Sequence, residues 1–207
     1  MVPVAFQFGS HLTSKMHNSF YLGSSEKYGQ AIMILPVDKR DVGDIYIHPD
    51  IKETVSRIYQ SLDVRFNIIS RLPEADDQVS GSRTELDVSV NNREQSISIT
   101  VTVIGEDFIE RIREIKSSHN EKYWTIQLIL PVDGKSALTA YEELAGEGFF
   151  FTGVRALCNK REQIYMQYTG DVFFCFEEFK LTEGFQALLE EVLRYYRARR
   201  TVHTEEI

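Results

Sequence analysis

Cysteine is almost missing from this chain: Cys158 and Cys175 are the only two in 207 residues. Two thiols without ligand-type neighbours build neither a disulfide framework nor a zinc site, and they read as the reduced thiols of a cytosolic protein. Long apolar runs are missing too, since none approaches the roughly 20 residues that span a bilayer. The opening residues, Met1 to Phe6, carry neither the charged region nor the apolar stretch of a signal peptide, so cytoplasm is the expected compartment. Nor is there a basic excess. With 23 Lys and Arg against 31 Asp and Glu, the net charge is -8. That balance argues against sequence-independent nucleic-acid binding, which draws its affinity from cations neutralising phosphates. The one basic cluster, Arg194, Arg197, Arg199 and Arg200, ends the last expected helix, where cations complement the negative end of the dipole.

Catalytic signatures are equally sparse. His11, His17, His48, His119 and His203 show no i, i+4 pair and no cysteine neighbour, which excludes the usual metal patterns. His48 stands at a strand end just before a helix start, a position where α/β folds gather ligands. Ser14, Ser19 and Ser136 lack the Gly-x-Ser-x-Gly elbow that presents a nucleophile. Gly134-Lys135-Ser136 lacks the upstream glycine and spacing of a phosphate loop. Asp38, Asp41 and Asp44, alternating with Lys39 and Arg40, read as a solvated connection.

What the chain does have is a 43% hydrophobic content arranged with clear periodicity. Ile51, Val55, Ile58, Tyr59 and Leu62 share one helical face after a strand at 44–48, with Asp50 as the expected N-cap. A β-branched run at 64–69 and an acidic loop at 74–82 follow. Leu86, Val88 and Val90 then alternate against Ile97, Ile99, Val101 and Val103 across Asn91-Asn92, a hairpin turn in which Asn tolerates positive φ. A helix after Gly105 carries Phe108, Ile109, Ile112 and Ile115. From there the order restarts: a strand at 124–130, a helix with Ala137, Leu138, Tyr141 and Leu144, strands from 148, at 163–168 and at 172–176, and a helix burying Phe185, Leu188, Leu189, Val192, Leu193 and Tyr196. Pro49, Tyr59 and Leu62 recur as Pro131, Tyr141 and Leu144 at one constant offset. The reading is therefore two tandem β-α-β-β-β-α units at 44–120 and 121–200, forming mixed, largely antiparallel sheets with flanking helices. Residues 1–43, with one strand at 30–35, are expected to be the remnant of a longer N-terminal region, and 201–207 a disordered tail.

Two stretches carry a family resemblance. Asp44 to Pro49 leading into Ile58-Tyr59-Gln60-Ser61-Leu62 is one; Gly148 to Gly153 followed by Tyr165 to Tyr168 is the other. Together they resemble the GNAT-related, acetyltransferase-like C-terminal region found behind anti-sigma-factor-type ATPase domains in bacteria. His11, Thr13 and Ser14 ahead of the 30–36 strand resemble the segment joining the two. The resemblance implies an α/β (α+β), GNAT-like fold, with acetyl-CoA bound where two central strands splay apart. It also implies a Gln/Arg-x-x-Gly-x-Gly/Ala loop at a helix start, whose small residues let amides close on a pyrophosphate.

The corresponding junction here is Val103-Ile104-Gly105-Glu106-Asp107-Phe108. Gly105, Glu106 and Asp107 are the cofactor-binding candidates, but two acids stand where phosphates would sit. The matching junction in the second half, Lys180 to Phe185, departs from the pattern in the same way. The resemblance further implies a tyrosine that protonates the leaving thiolate four residues before Gly-Phe. Tyr141 is out of register with Gly148; Tyr59 keeps the spacing better, but Asp63-Val64 replaces Gly-Phe. Both also fit an amphipathic helix core. The expected function is accordingly a non-catalytic binding or regulatory module of bacterial partner-switching signalling, with no cofactor, metal, nucleic acid or membrane. The alternative is an N-acetyltransferase using acetyl-CoA or CoA at an atypical loop. The run Phe149-Phe150-Phe151 and the nearby Phe173, Phe174 and Phe176 need cover on both strand faces. The chain's own helices would supply it, or a protein partner or homodimer docked on the aromatic-rich second half.

Overall fold

A computed structural model describes residues 1–17, 20–36, 41–71, 82–92, 95–119, 125–157, 161–170 and 181–202. The described elements are β1 (Val2–His17), β2 (Phe20–Ile34), β3 (Gly43–Tyr46), α1 (Lys52–Ser61), β4 (Phe66–Ile69), β5 (Glu85–Asn91), β6 (Ser96–Val103), α2 (Phe108–His119), β7 (Thr125–Pro131), α3 (Ser136–Gly146), β8 (Phe150–Arg155), β9 (Gln163–Tyr168) and α4 (Glu183–Val202). They form an α+β fold. Seven strands make one mixed sheet in the order β2-β1-β8-β9-β7-β6-β5, and β3 and β4 make a small parallel pair. Within the large sheet only β6 and β7 run parallel, with α2 as their crossover.

Alternation and helical spacing locate most elements correctly because each buries one apolar face. Ile97, Ile99 and Val101 are buried on β6, and Phe108, Ile109 and Ile112 on α2. In α1 the buried residues are Thr54, Val55, Ile58 and Tyr59. Asp50 is not its cap. A single 3-10 turn at Pro49–Ile51 precedes the helix, and the His48 side chain caps that turn by accepting from the Asp50 amide. In the β5–β6 turn the left-handed φ falls on Gln95 (47°), not on Asn91 or Asn92. Asn91 opposes Ser96, so the loop is longer than a two-residue hairpin. Among the described residues the halves share a strand-helix-strand start but not the full order: three strands separate α1 from α2 and two separate α3 from α4, the expected strand at 172–176 lying outside the described residues, and the pairing differs as well. In the first half β3 pairs with β4 and β5 with β6; in the second, β9 pairs with both β7 and β8.

β1 is the strand that periodicity misses. It pairs along its whole length with β2 but meets β8 through one pair, Ala5 with Gly153. There φ at Gly153 is +144°, and a Cβ would lie 2.3 Å from the Ala5 Cα and the Val4 carbonyl oxygen. Only glycine allows so close an approach. Further along, Gln167 of β9 closes the gap: its Oε1 accepts from the Phe8 amide at 3.0 Å, and its Nε2 donates to the Phe8 carbonyl.

Phe149, Phe150 and Phe151 are buried by the chain itself. Phe150 packs on Phe8 and edge-on to Tyr196, Phe151 edge-on to Tyr195, and Phe149 against Tyr168. Phe173, Phe174 and Phe176, the expected strand at 172–176, Cys158 and Cys175 lie outside the described residues. Among the described residues no helix is long and apolar enough to cross a membrane.

Gly153→Ala should lower stability by roughly 2–4 kcal/mol, in the range of forced backbone shifts and strained φ. Urea unfolding checks this, and loss of the Ala5–Gly153 junction should reduce amide protection in residues 4–8 before it reduces that of β6 and β7.

Candidate functional site

The parallel pair β6 and β7 is hydrogen-bonded from Ser96 opposite Thr125 to Thr100 opposite Ile129. Both strands run on, to Val103 and Pro131, each still paired with its outer neighbour β5 or β9 but no longer with the other. The ladder between them therefore ends before the strands do. Arg161 spans these unladdered strand ends. Its guanidinium donates to the Thr102 carbonyl at 2.7 Å and to both carboxylate oxygens of Asp133, at 2.6 and 3.0 Å. This two-pronged geometry suits a planar guanidinium, and it fastens the end of β6 to the turn after β7.

Beside the bridge lies a cleft of about 390 Å³ lined by Asp41, Val42, Asp44, Ile45, Asp133, Arg161 and Glu162. Its wall is completed by β3, which hangs from the main sheet by the Tyr46 amide bonding to the Val132 carbonyl at 2.8 Å. Asp41 and Asp44, expected in a solvated connection, are solvent-exposed and also line this cleft, Asp44 accepting from the Asn67 amide nitrogen at 2.8 Å. Asp38, Lys39 and Arg40 lie outside the described residues. Glu162, only 6% exposed, accepts from the Tyr59 hydroxyl at 2.6 Å and from the Leu157 amide. Among the described residues no group of three or more His, Cys, Asp or Glu side chains is placed to hold a metal ion.

The α2 corner, where a pyrophosphate would be held, is filled by the chain's own residues 82–84. The Ser82 carbonyl accepts from the Glu106 amide at 3.2 Å, and Thr84 Oγ1 from the Gly105 amide at 3.0 Å. Asp107 folds back to accept from the Thr84 amide at 2.7 Å, while Arg111 donates to the Thr84 carbonyl. The Thr84 amide and hydroxyl hold the Asp107 carboxyl below the usual carboxylate range. Gly105 is needed here, because a Cβ would sit 2.3 Å from the Ser82 carbonyl oxygen. The approach it permits is that of a protein strand.

The two tyrosine candidates sit apart. Tyr59 is buried in α1 with its hydroxyl on Glu162, one residue removed from the cleft. Tyr141 belongs to a different cluster, stacked on His48 with ring centroids 4.7 Å apart. Burial drives its phenol well above the ordinary range, against the pull of Arg199. His48 is thus a turn cap and a stacking partner. Arg199 also pairs with Asp50 at 3.7 Å, and Arg194 with Glu191 at 2.7 Å, so these members of the basic cluster are engaged in ion pairs. Lys135 is the N-cap residue of α3 and Ser136 its first residue. The side chains of His11, Ser14, His17, His119 and Arg200, and the residues Ser19 and His203, lie outside the described residues. No family model, curated protein or solved structure matches this chain.

The residues that sequence reading missed are Arg161, Asp133, Glu162 and Thr84. Apart from the Leu157 amide, five positions from Glu162, their partners are 21 to 103 positions away, so no local motif betrays them.

Asp107 generates a pH test. Its folded carboxyl titrates below the ordinary aspartate value near 3.8, so its contribution is complete above that value and is lost as pH falls through the folded one. Asp107→Asn should flatten the decline in urea midpoint as the pH falls below about 5, the parent's advantage being largest above the ordinary aspartate value and shrinking at lower pH.

Proposed function

We propose that the chain is a GNAT-like, non-catalytic binding or regulatory module, of the kind that accompanies bacterial anti-sigma or partner-switching proteins. One observation carries the reading against catalysis. At the junction where the resemblance requires a phosphate cradle, the α2 amides are capped by Ser82 and Thr84, and Asp107 is folded over them. A diphosphate would have to displace those bonds and sit against an ionised carboxylate. The parting of β6 and β7 and the crossover through α2 support the GNAT-like element of the proposal. The tandem-duplication element rests on the constant offset of Pro49, Tyr59 and Leu62 from Pro131, Tyr141 and Leu144. The signalling role rests on the sequence resemblance, and its expected partner is a protein such as an anti-sigma-type ATPase domain.

The same parting of β6 and β7 favours a second reading, an acyl-CoA-dependent N-acetyltransferase with an atypical cofactor loop. Under it, the gap bridged by Arg161 would admit the pantetheine arm, and an acid-lined cleft would suit an amine acceptor.

Calorimetry with acetyl-CoA and with free CoA separates the two. The proposed module gives no binding heat up to about 1 mM ligand, a limit corresponding to roughly 4 kcal/mol, whereas a micromolar dissociation constant in the wild type overturns it. Arg161→Ala supplies a second arm. Should this variant bind CoA when the parent does not, the gap is a cofactor site held shut and the acyltransferase reading takes over. A purified anti-sigma-type ATPase domain that shifts the sedimentation of the chain would support the signalling role.

A further inference from the structure

We propose that β5 is a self-association edge, through which two copies of the chain join their seven-stranded sheets into one. β5 ends the sheet, and among the described residues no strand lies on its outer side. Leu86, Val88 and Val90 oppose Val101, Ile99 and Ile97 of β6 on one face. The β6 members are 0–1% exposed, whereas Val88 and Val90 are 39% and 41% exposed. The apolar face of the core therefore runs on past β6 and stops in water.

Edges meant to stay single are usually blunted by charged side chains, lysine above all, by proline or by a bulge. Glu85–Asn91 has no lysine or proline, its two acids Glu85 and Asp87 are confined to its first half, and its one register shift lies at its first pair, between Glu85 and Leu86.

The occupant is argued from charge and register. Glu85 and Asp87 crowd the first half of the strand, and Ser89 and Asn91 occupy the second. Opposite residues of an antiparallel pair point to the same face. A two-fold pairing centred on Val88 sets Val88 against its copy, Leu86 against Val90, Asp87 against Ser89 and Glu85 against Asn91. The apolar row becomes continuous, and neither acid meets an acid. Shifting the centre to Asp87 would oppose two carboxylates directly. Of the two-fold registers that keep the faces aligned, the one centred on Val88 alone gives Leu86, Val88 and Val90 all apolar partners, as a self-complementary isologous contact requires.

A seven-residue edge is small beside the roughly 1,200–2,000 Å² of a standard interface, so association at micromolar strength is the expectation. Sedimentation equilibrium of the full chain from about 1 to 300 μM tests it. The wild type should shift from monomer to dimer across that range. Val88→Lys, exposed in the monomer and tolerated there, should weaken dimerisation at least tenfold with an unchanged circular-dichroism spectrum. Ser89→Asp, which sets two carboxylates opposite each other without touching the apolar row, should weaken it as well and lose that effect at high salt. Hydrogen exchange should slow in β5 as concentration rises. A wild type that stays monomeric at 300 μM, or a dimer indifferent to both substitutions, overturns the proposal. The first outcome leaves the edge to another partner or to residues of the same chain, and the second places the contact elsewhere.

Discussion

Backbone groups at the end of the β6–β7 ladder and at the start of α2 must find partners, and the chain finds them in its own side chains and loops. This requirement organises the region that the sequence marks as functional. Arg161 joins the Thr102 carbonyl to Asp133, and the 82–84 segment closes the first amides of α2. An open corner would offer a ligand the same groups, at the cost of leaving buried polar atoms unsatisfied in its absence. Here that cost is avoided, because the corner's first amides are already bonded within the chain.

The two closures differ in kind. Thr84 is 2% exposed and is held through the amides and carboxylate of α2, so it is part of the packed structure. Arg161 and Asp133 are 34% and 50% exposed, and a solvated ion pair of this sort contributes about 1 kcal/mol or less. The gap between the strands is thus closed weakly and the helix corner firmly. A chemistry that needs only the gap is more accessible to this fold than one that needs a diphosphate at α2.

The parts of the fold written locally were legible. Alternation gave β5 and β6, and helical spacing placed α1, α2 and α3 within a few residues, because a half-buried element repeats its apolar side at a fixed period. β1 was not legible: Val4, Ala5, Phe6 and Phe8 are all buried, so no alternation marks a solvent face. The site divided in the same way. The acids at Glu106 and Asp107 could be read as unfit for phosphate from charge alone. That Asp107 would turn onto Thr84, and that Arg161 would span the strands, depended on tertiary approach. The expectation of Asp50 as a cap failed because proline at position 49 opens a 3-10 turn, shifting the capping role to His48.

The seating of β1 has a consequence for how the molecule is made. The glutamine that clasps Phe8 is synthesised 159 residues after it. At synthesis rates of about 5–20 residues per second that interval is roughly 8–30 s. For that time the ribbon of β1 and β2 carries two aromatic rings with nowhere to dock. β1 is thus made well before the strand that clasps it, and the sheet cannot close around it until β9 has emerged.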